Sequence, residues 1–193
     1  MDTRQTILNA CLDLLEIANW NDIKTARIAA RAGVAEGTLY NYFSSKQELI
    51  IEAVGLASRE LAKTVFHGLG EEHTIRENLT RLARNFLLSQ GQTGSLYRII
   101  YKAFSEVENP AIRQVLSDLY PNGIRMVEEL ILKSRDADEL RIPPARMKWV
   151  VMMLWGLGDS LWKSAVVSGQ KPVTETEVES LVNTLYRMMS GME

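Results

Sequence analysis

The chain has 193 residues and a mass of 21.8 kDa, which allows one large domain or two small ones with a sizeable core. Hydrophobic residues make up 46% and charged residues 24%, so intrinsic disorder is excluded. One cysteine excludes an internal disulfide or a cysteine-rich zinc site, and two histidines exclude a histidine-rich metal centre. The net charge of −2 excludes a chain that is basic throughout, but it leaves room for a local basic patch.

The N-terminus and the longest apolar run predict a cytoplasmic protein without a membrane segment. Residues 1–6 lack the charged region and apolar region of a secretory signal. The longest apolar run, residues 149–157, is less than half of the about 20 residues that a membrane span needs. We therefore expect this run to form a buried helix.

Apolar residues recur at helical spacing along the whole chain, and no stretch alternates long enough to predict a strand. The sequence predicts an all-α fold. Its helices, about nine in number, are expected at residues 3–18, 25–31, 35–42, 46–67, 74–90, 95–106, 110–134, 144–168 and 174–189. The first three are short and the later ones long, which places a domain boundary near residue 45.

Local signals predict where several helices begin and end. Capping boxes, each a hydroxyl followed three residues later by a glutamate, are expected at Ser45–Glu48, Thr74–Glu77 and Thr174–Glu177. Helix ends are predicted at Gly68 and Gly70, at Gly91 and Gly94, and at Gly169 with Pro172. Pro121 is expected to kink or split the helix that contains it.

Residues 25–43, TARIAARAGVAEGTLYNYF, have the spacing of a helix-turn-helix. Ile28 lies on a short first helix, and Gly33 can adopt the positive φ of a tight turn. Val34 and Leu39 can then pack back onto Ile28. The second helix, residues 35–42, is the one that such motifs place in the major groove of DNA.

An extended set of residues around this motif resembles the DNA-binding signature of the tetracycline-repressor (TetR) family. The matching residues are Ile28-Ala29, Ala32-Gly33-Val34, Gly37-Thr38-Leu39-Tyr40, Tyr42-Phe43, Ser45-Lys46 and Glu48-Leu49. The resemblance covers about residues 5–52. It implies a helix-turn-helix DNA-binding domain at residues 1–46 and a larger helical domain for ligand binding and dimerisation at residues 47–193.

Two residues depart from the family pattern. Ala35 stands where the family usually has Ser or Thr, so the second helix is expected to lack a side-chain cap worth about 1 kcal/mol. Asn19 stands where glycine is common after the first helix, and it can substitute because Asn tolerates the left-handed conformation.

The resemblance implies that four side chains bind DNA phosphates, namely Thr25, Tyr40, Tyr42 and Lys46. Hydroxyl and ammonium groups suit phosphate oxygens, which fix the register of the protein without reading sequence. The alternatives are that the two tyrosines pack inside the domain and that Lys46 is only a solvated lysine. Arg4 has two open roles, a minor-groove contact or a solvated arginine.

The remaining residues of the predicted DNA interface lie on the second helix, which begins at Ala35. Gly37 and Thr38 allow close approach to the floor of the groove, and Asn41 can pair with adenine. Glu36 can accept a hydrogen bond from cytosine N4 or point into solvent. Residues 23–47 carry four basic side chains and one acidic one, a net +3 that predicts weak nonspecific DNA binding.

A symmetric dimer is expected, because helix-turn-helix proteins commonly read two half-sites. The predicted helix at 144–168 is apolar almost all round and should be buried on more than one side. The helix at 174–189 has one clean apolar stripe. The family resemblance implies that both pack against their symmetry mates as a four-helix bundle.

The family resemblance implies that the larger domain holds a cavity for a small, largely apolar effector. Its candidate lining residues are Phe86, Tyr97, Tyr101, Phe104, Tyr120, Met126, Trp149, Met152, Met153, Trp155 and Asp159. The competing interpretation is that these aromatic and methionine side chains are ordinary core. Asp159 has three open roles: binding a cationic or donor ligand, pairing with Arg98 or Lys163, or capping after Gly158.

These features predict a TetR-like repressor that an effector releases from a palindromic operator in double-stranded DNA. Effector binding would move the helix at 46–67 and so change the spacing of the two reading heads, as we call the helix-turn-helix domains (residues 1–46) of the two subunits. The alternative is a DNA-binding regulator whose larger domain binds a protein partner. No catalytic motif is present in the sequence, so we expect neither an enzyme nor a cofactor or metal.

Overall fold

The computed structural model describes the backbone of residues 2–88, 90–169 and 173–191, and the side chains of the same residues apart from 90–92. Regular structure in these residues is entirely helical, which confirms the predicted all-α fold. The α-helices are α1 (Thr3–Ile17), α2 (Thr25–Ala32), α3 (Glu36–Leu39), α4 (Lys46–Val65), α5 (Ile75–Ala83), α6 (Gln90–Ala103), α7 (Pro110–Lys133), α8 (Pro144–Ser168) and α9 (Glu175–Ser190). A π-helical segment, Arg84–Leu88, follows α5.

Capping explains several of these helix starts. The predicted boxes at α5 and α9 are confirmed. The Thr74 and Thr174 hydroxyls each accept a hydrogen bond from the backbone amide three residues later, and the backbone amide of each threonine donates to the carboxylate of that later glutamate. These hydrogen bonds hold the pKa of both glutamates below the ordinary value. At α4, Ser45 caps the Glu48 amide at 3.1 Å, but the Glu48 carboxylate accepts from Ser44 instead.

Other helix boundaries differ from the sequence prediction. Gly91 and Gly94 were expected to end a helix, and both instead lie inside α6. The glycines that do end helices adopt positive φ near 70°, as Gly33 and Gly169 do. Helix α7 continues through Pro121 without being split. Pro172 lies outside the described residues.

The chain divides into two compact units. The first contains residues Met1–Leu61 and Gly94–Leu119, so most of helix α6 and the start of α7 belong to the same unit as the helix-turn-helix. The second contains Ala62–Thr93 and Tyr120–Glu193. Helices α4, α6 and α7 each have residues in both units, and α7 passes from one to the other between Leu119 and Tyr120. The predicted functional boundary after residue 46 remains a prediction.

In the first unit, α6 is fastened to the C-terminal end of α1. The Lys102 ammonium donates to the carbonyl oxygens of Leu15, Glu16 and Ala18 at 2.9, 3.0 and 3.2 Å. One turn earlier on α6, Arg98 donates to the Glu16 carboxylate at 2.7 Å. The last carbonyls of a helix have no partner within the helix, so Lys102 supplies the donors that the end of α1 lacks.

The second unit is organised around an apolar core from α5, α7, α8 and α9. Its most buried members are Ile75, Leu79, Leu87, Val127, Ile131, Met147, Val151, Val178, Val182 and Met189. Asp136 joins two of its helices, because it accepts from the Ile75 amide at 2.7 Å and from the Tyr186 hydroxyl at 3.2 Å. Hydrogen bonding to Glu139, together with partial burial, raises the pKa of Tyr186 to about 12.

In the single chain, α8 is buried on one side only, and burial of its other side against a symmetry mate stays a prediction. One face is buried through Met147, Val151, Trp162 and Ala165, but Trp149 is 62% exposed and Met153 is 66% exposed. By length and composition α8 qualifies as a membrane-crossing helix, with 11% of its most apolar window buried. One such helix is weak evidence for a span, since helices that bury an apolar face pass the same test.

Substitution of Lys102 tests the attachment of α6 to α1. Lys102→Met keeps the apolar stem and removes all three donated hydrogen bonds, so we expect the free energy of unfolding to fall by about 1–2 kcal/mol. Urea denaturation measures the change. Lys133→Met is the matched control, because Lys133 makes only a 3.4 Å surface pair with Glu71 and should cost under about 0.5 kcal/mol. Equal losses in the two variants would contradict the assigned role of Lys102.

Candidate nucleic-acid interface and effector residues

The turn of the helix-turn-helix forms as the sequence predicts. Gly33 ends α2 with φ at 70°, and the Val34 amide donates back to the Ala29 carbonyl at 3.0 Å. A side chain rarely adopts this φ, so glycine is required at the turn. Ile28 and Leu39 are buried, as expected, whereas Val34 is only half-buried.

Helix α3 is shorter than predicted, because only Glu36–Leu39 is α-helical and Tyr40 to Tyr42 continue as a turn. The Asn41 and Tyr42 amides donate to carbonyls three residues earlier, which tightens this turn. Ala35 precedes α3 in an extended conformation with no side-chain cap, as expected. Asn19 is also extended, with φ at −80°, so its expected left-handed conformation is wrong.

Two buried side chains hold this segment while its polar groups face outward. Leu39 is 1% exposed and Phe43 is 2% exposed. The predicted contact residues around them are exposed, except Thr25, Thr38 and Lys46, which are half-buried. Tyr40 is 54% exposed and Tyr42 is 40% exposed, so both rings and hydroxyls can reach an external partner. Lys46, the first residue of α4, is half-buried.

Two of the predicted contact residues are hydrogen-bonded to each other. The Thr25 hydroxyl, at the start of α2, donates to the Glu36 carboxylate, at the start of α3. For Glu36 this contact replaces the predicted alternative of an acid that only faces solvent. The Thr25 hydroxyl can donate to a phosphate only if it releases Glu36.

Arg4 holds the reading head together, a role that the sequence analysis did not identify. Its guanidinium lies 5.1 Å from the centre of the Phe43 ring and forms an ion pair with Glu52 on α4. This arrangement joins α1, the segment after α3, and α4. Neither predicted alternative for Arg4 included such a contact, because Glu52 lies 48 residues away in sequence.

The basic patch is smaller in the structure than its formal charge indicates. Arg31 pairs with Asp13 at 2.7 Å, which offsets one of the four positive charges. Lys24, directly before α2, and Arg27, on α2, are both exposed. Cys11 is buried, and burial raises the pKa of its thiol to about 12, so it packs as a small apolar side chain.

The candidate effector residues belong to both compact units. Tyr97, Tyr101 and Phe104 are in the first, where Tyr97 is buried and the other two are exposed. The other eight are in the second unit. There, Met126, Trp149, Met152 and Met153 are all more than 40% exposed on the single chain.

The structure brings several aromatic side chains of the second unit together. The Trp155 ring lies 5.7 Å from Tyr120 and 6.5 Å from Phe66, measured between ring centres. Burial raises the pKa of Tyr120 to about 12. We call Phe66, Phe86, Tyr120 and Trp155 the aromatic cluster, and all four are half-buried.

Two glycines allow the helices that carry these rings to approach closely. A Cβ at Gly123 would lie 2.8 Å from the Trp155 ring, and one at Gly158 would lie 3.3 Å from the Phe86 ring. Next to Gly158, Asp159 accepts from Lys163 at 2.6 Å, which selects one of its predicted roles. Phe66, Gly123 and Lys163 were missing from the predicted set, although glycines inside helical patterns were an available signal.

No group of three or more His, Cys, Asp and Glu side chains in the described part of the chain is placed to hold a metal ion. The geometry that is present, a short helix held by a glycine turn with exposed hydroxyl, amide and basic groups, defines a helix-turn-helix DNA-binding protein.

Comparison with known proteins shows which regulators the chain is similar to. The profile of the bacterial regulatory proteins of the tetR family matches residues 7–53. The chain is 20% identical to the fatty acid metabolism regulator protein of Bacillus subtilis over 93% of its own length and 94% of that protein. It is 24% identical to the HTH-type transcriptional regulator BetI of Klebsiella pneumoniae, covering 95% and 92% of the two chains.

A solved structure of a transcriptional regulator from Saccharomonospora viridis in complex with choline has the same fold. It superposes with a TM-score of 0.77 at 20% identity and covers 94% of this chain and 93% of that one. The chain is thus similar to bacterial transcriptional regulators of the TetR family in its helix-turn-helix region, residues 7–53, and it shares its fold with solved regulators of that family.

Gly37 provides a test of the interface. A Cβ at Gly37 meets nothing within 4 Å in the chain, so Gly37→Ala should leave the fold intact or stabilise it by about 0.5–1 kcal/mol. The added methyl group lies on the exposed surface of α3, so we expect affinity for an operator to fall about tenfold. Thermal melting and fluorescence anisotropy measure the two effects.

Gly94→Ala is the matched control, because Gly94 is also helical with open space at its Cβ but lies on α6. It should leave DNA affinity unchanged. Unaltered DNA affinity in Gly37→Ala would contradict the placement of DNA against α3.

Proposed function

We propose that the protein is a dimeric repressor that binds a palindromic operator and is released by a small, largely apolar effector. The observation that carries the DNA-binding part is the exposed surface of α3 and its following turn, fixed from behind by Leu39 and Phe43. Thr25, Tyr40, Tyr42 and Lys46 bind phosphates, and Asn41 pairs with adenine. Glu36 accepts from cytosine N4 after it releases Thr25.

The dimer forms through α8 and α9. The solvent-facing side of α8 carries large apolar side chains, including Trp149 and Met153, and its far end is also apolar, with Val167 89% exposed. Gly156 lies on the same side, and a Cβ there would meet nothing within 4 Å among the described residues. A glycine in the middle of a helix costs about 1 kcal/mol relative to alanine. A second copy of α8 crossing at Gly156 explains both the glycine and the exposed apolar surface.

The effector binds at the aromatic cluster of the second unit. Half-buried aromatic rings beside one acidic group are the composition of a pocket for an apolar ligand with a polar or cationic end. The choline complex of the Saccharomonospora viridis regulator supports a small-molecule effector for this fold. The alternative, a protein partner for the larger domain, is an outcome of the test below.

Operator selection on the purified full chain tests this function. A random DNA library is enriched on the protein and the product is footprinted, and we expect a palindrome of two half-sites. The selected operator is then used to screen small molecules, beginning with choline and with medium-chain fatty acids, for release of DNA. Absence of any enriched sequence would overturn the DNA-binding proposal. An operator that no small molecule releases, but a protein from the same cell does, would favour the alternative.

A substitution on the exposed face of α8 tests the dimer. Met153→Arg places a charge on the proposed interface, so we expect the mass in solution to fall from that of a dimer to 21.8 kDa. Affinity for the palindromic operator should fall with it, because two half-sites are then bound independently. Analytical ultracentrifugation reports the mass. Met126→Arg is the control, since Met126 is a 44% exposed methionine on α7. A dimer that survives Met153→Arg but not Met126→Arg would place the interface elsewhere.

A further inference from the structure

The π-helical segment Arg84–Leu88 contacts three different helices through three consecutive side chains. Arg84 forms ion pairs with Glu175 and Glu179 on α9. Asn85 contacts the end of α4, and Phe86 lies against Gly158 on α8. π-Helical segments are rare, and they occur frequently at functional sites. All of these contacts lie within the second compact unit.

Asn85 completes the C-terminal end of α4. Its amide nitrogen donates to the carbonyl oxygens of Val65 at 3.1 Å and His67 at 2.9 Å. Both hydrogens of one amide are thus used on a helix end whose carbonyls lack partners within the helix. Helix α4 begins at Lys46, directly after the reading head, so its C-terminal end is the part of the second unit that is continuous with that head.

Phe86, the next residue, belongs to the aromatic cluster. Its ring is so close to Gly158 that a Cβ there would meet two ring carbons at 3.3 Å. Asp159 follows Gly158, and Trp155 lies one helical turn before it. A ligand that enters beside these groups must displace the Phe86 ring, because close-packed helices leave no room for both.

We propose that Asn85 is a positioning residue that couples the aromatic cluster to α4. Displacement of the Phe86 ring rotates the π-helical segment, and the adjacent Asn85 then loses its two acceptors at the end of α4. Helix α4 is held in its DNA-competent position while the two hydrogen bonds are formed and is released when they break. This proposal rests on the proposed function, since it assigns the residue through which effector binding acts.

A double-mutant cycle on the full chain tests the coupling without a known effector. Phe86→Leu removes the ring from Gly158, and Asn85→Ala removes both donors. We expect each single variant to weaken binding to the selected operator about fivefold or more. The double variant should be no weaker than the stronger single variant, because both act through the same two hydrogen bonds.

The matched control is Arg84→Ala, which alters the same segment but faces α9. Its effect should simply add to that of Phe86→Leu. Asn85→Asp is nearly isosteric and puts an acceptor against two carbonyls, so it should weaken binding at least as much as Asn85→Ala. A merely structural role would lower thermal stability and give additive effects on operator binding. Additive effects of Phe86→Leu and Asn85→Ala would overturn the proposal.

Hydrogen exchange of the same variants separates this proposal from the proposed function. Amides in the second half of α4 should exchange several-fold faster in Phe86→Leu, and no faster again when Asn85→Ala is added. If the wild type selects no operator but this pattern holds, the DNA-binding proposal fails and the coupling stands. If an operator is selected but Phe86→Leu accelerates exchange equally with and without Asn85, the coupling fails and the function stands.

Discussion

The positive φ of Gly33 is the constraint on which the reading surface depends. It turns the chain between α2 and α3 so that Leu39 packs into the same core as Ile28. Helix α3 has only four residues, and such a short helix has little stability of its own in water. The orientation of α3 is therefore fixed by the turn at Gly33 and by two buried side chains, Leu39 and Phe43. The same turn and side chains position the exposed groups around them.

Glycine has different physical roles at four helical positions in this protein. At Gly123 and Gly158, rings on neighbouring helices occupy the space that a side chain would need. At Gly37 and Gly156, a Cβ would meet nothing within 4 Å among the described residues, so internal packing explains neither. Gly94 also has open space at its Cβ but is buried, whereas Gly37 and Gly156 lie on exposed surfaces where an external partner can approach. DNA for Gly37 and a second chain for Gly156 are the partners proposed above.

Helix α8 carries apolar side chains on both its buried side and its exposed side. Its buried face completes the core of the second unit, but large apolar side chains remain on the other side. Exposed apolar surface on that scale is rare in stable monomers and usually marks an interface. The apolar run therefore contains two sets of residues. One set packs in the core of the second unit, and the other is exposed and forms the proposed dimer surface.

Local signals in the sequence determined the elements. Capping boxes at Thr74 and Thr174, the left-handed turn at Gly33 and the helical period of the apolar residues act over a few residues, so they predict helices and the helix-turn-helix directly. The sequence signal failed where the outcome depended on neighbours. Gly94 did not end a helix, because tertiary packing outweighs such local preferences. At Pro121, α7 is not split, and the kink that was the other expectation stays a prediction.

Only the tertiary structure decided which side chains meet. Arg4 joins Glu52 and Phe43, Lys102 fastens α6 to α1, and Asn85 completes α4 across a separation of about 20 residues in sequence. None of these pairs has a helical or strand period, so no pattern along the chain could predict them. The sequence by itself thus determined the helices and the family motif. The compact units, the aromatic cluster and the contacts between helices required the fold, because they depend on distances in space rather than along the chain.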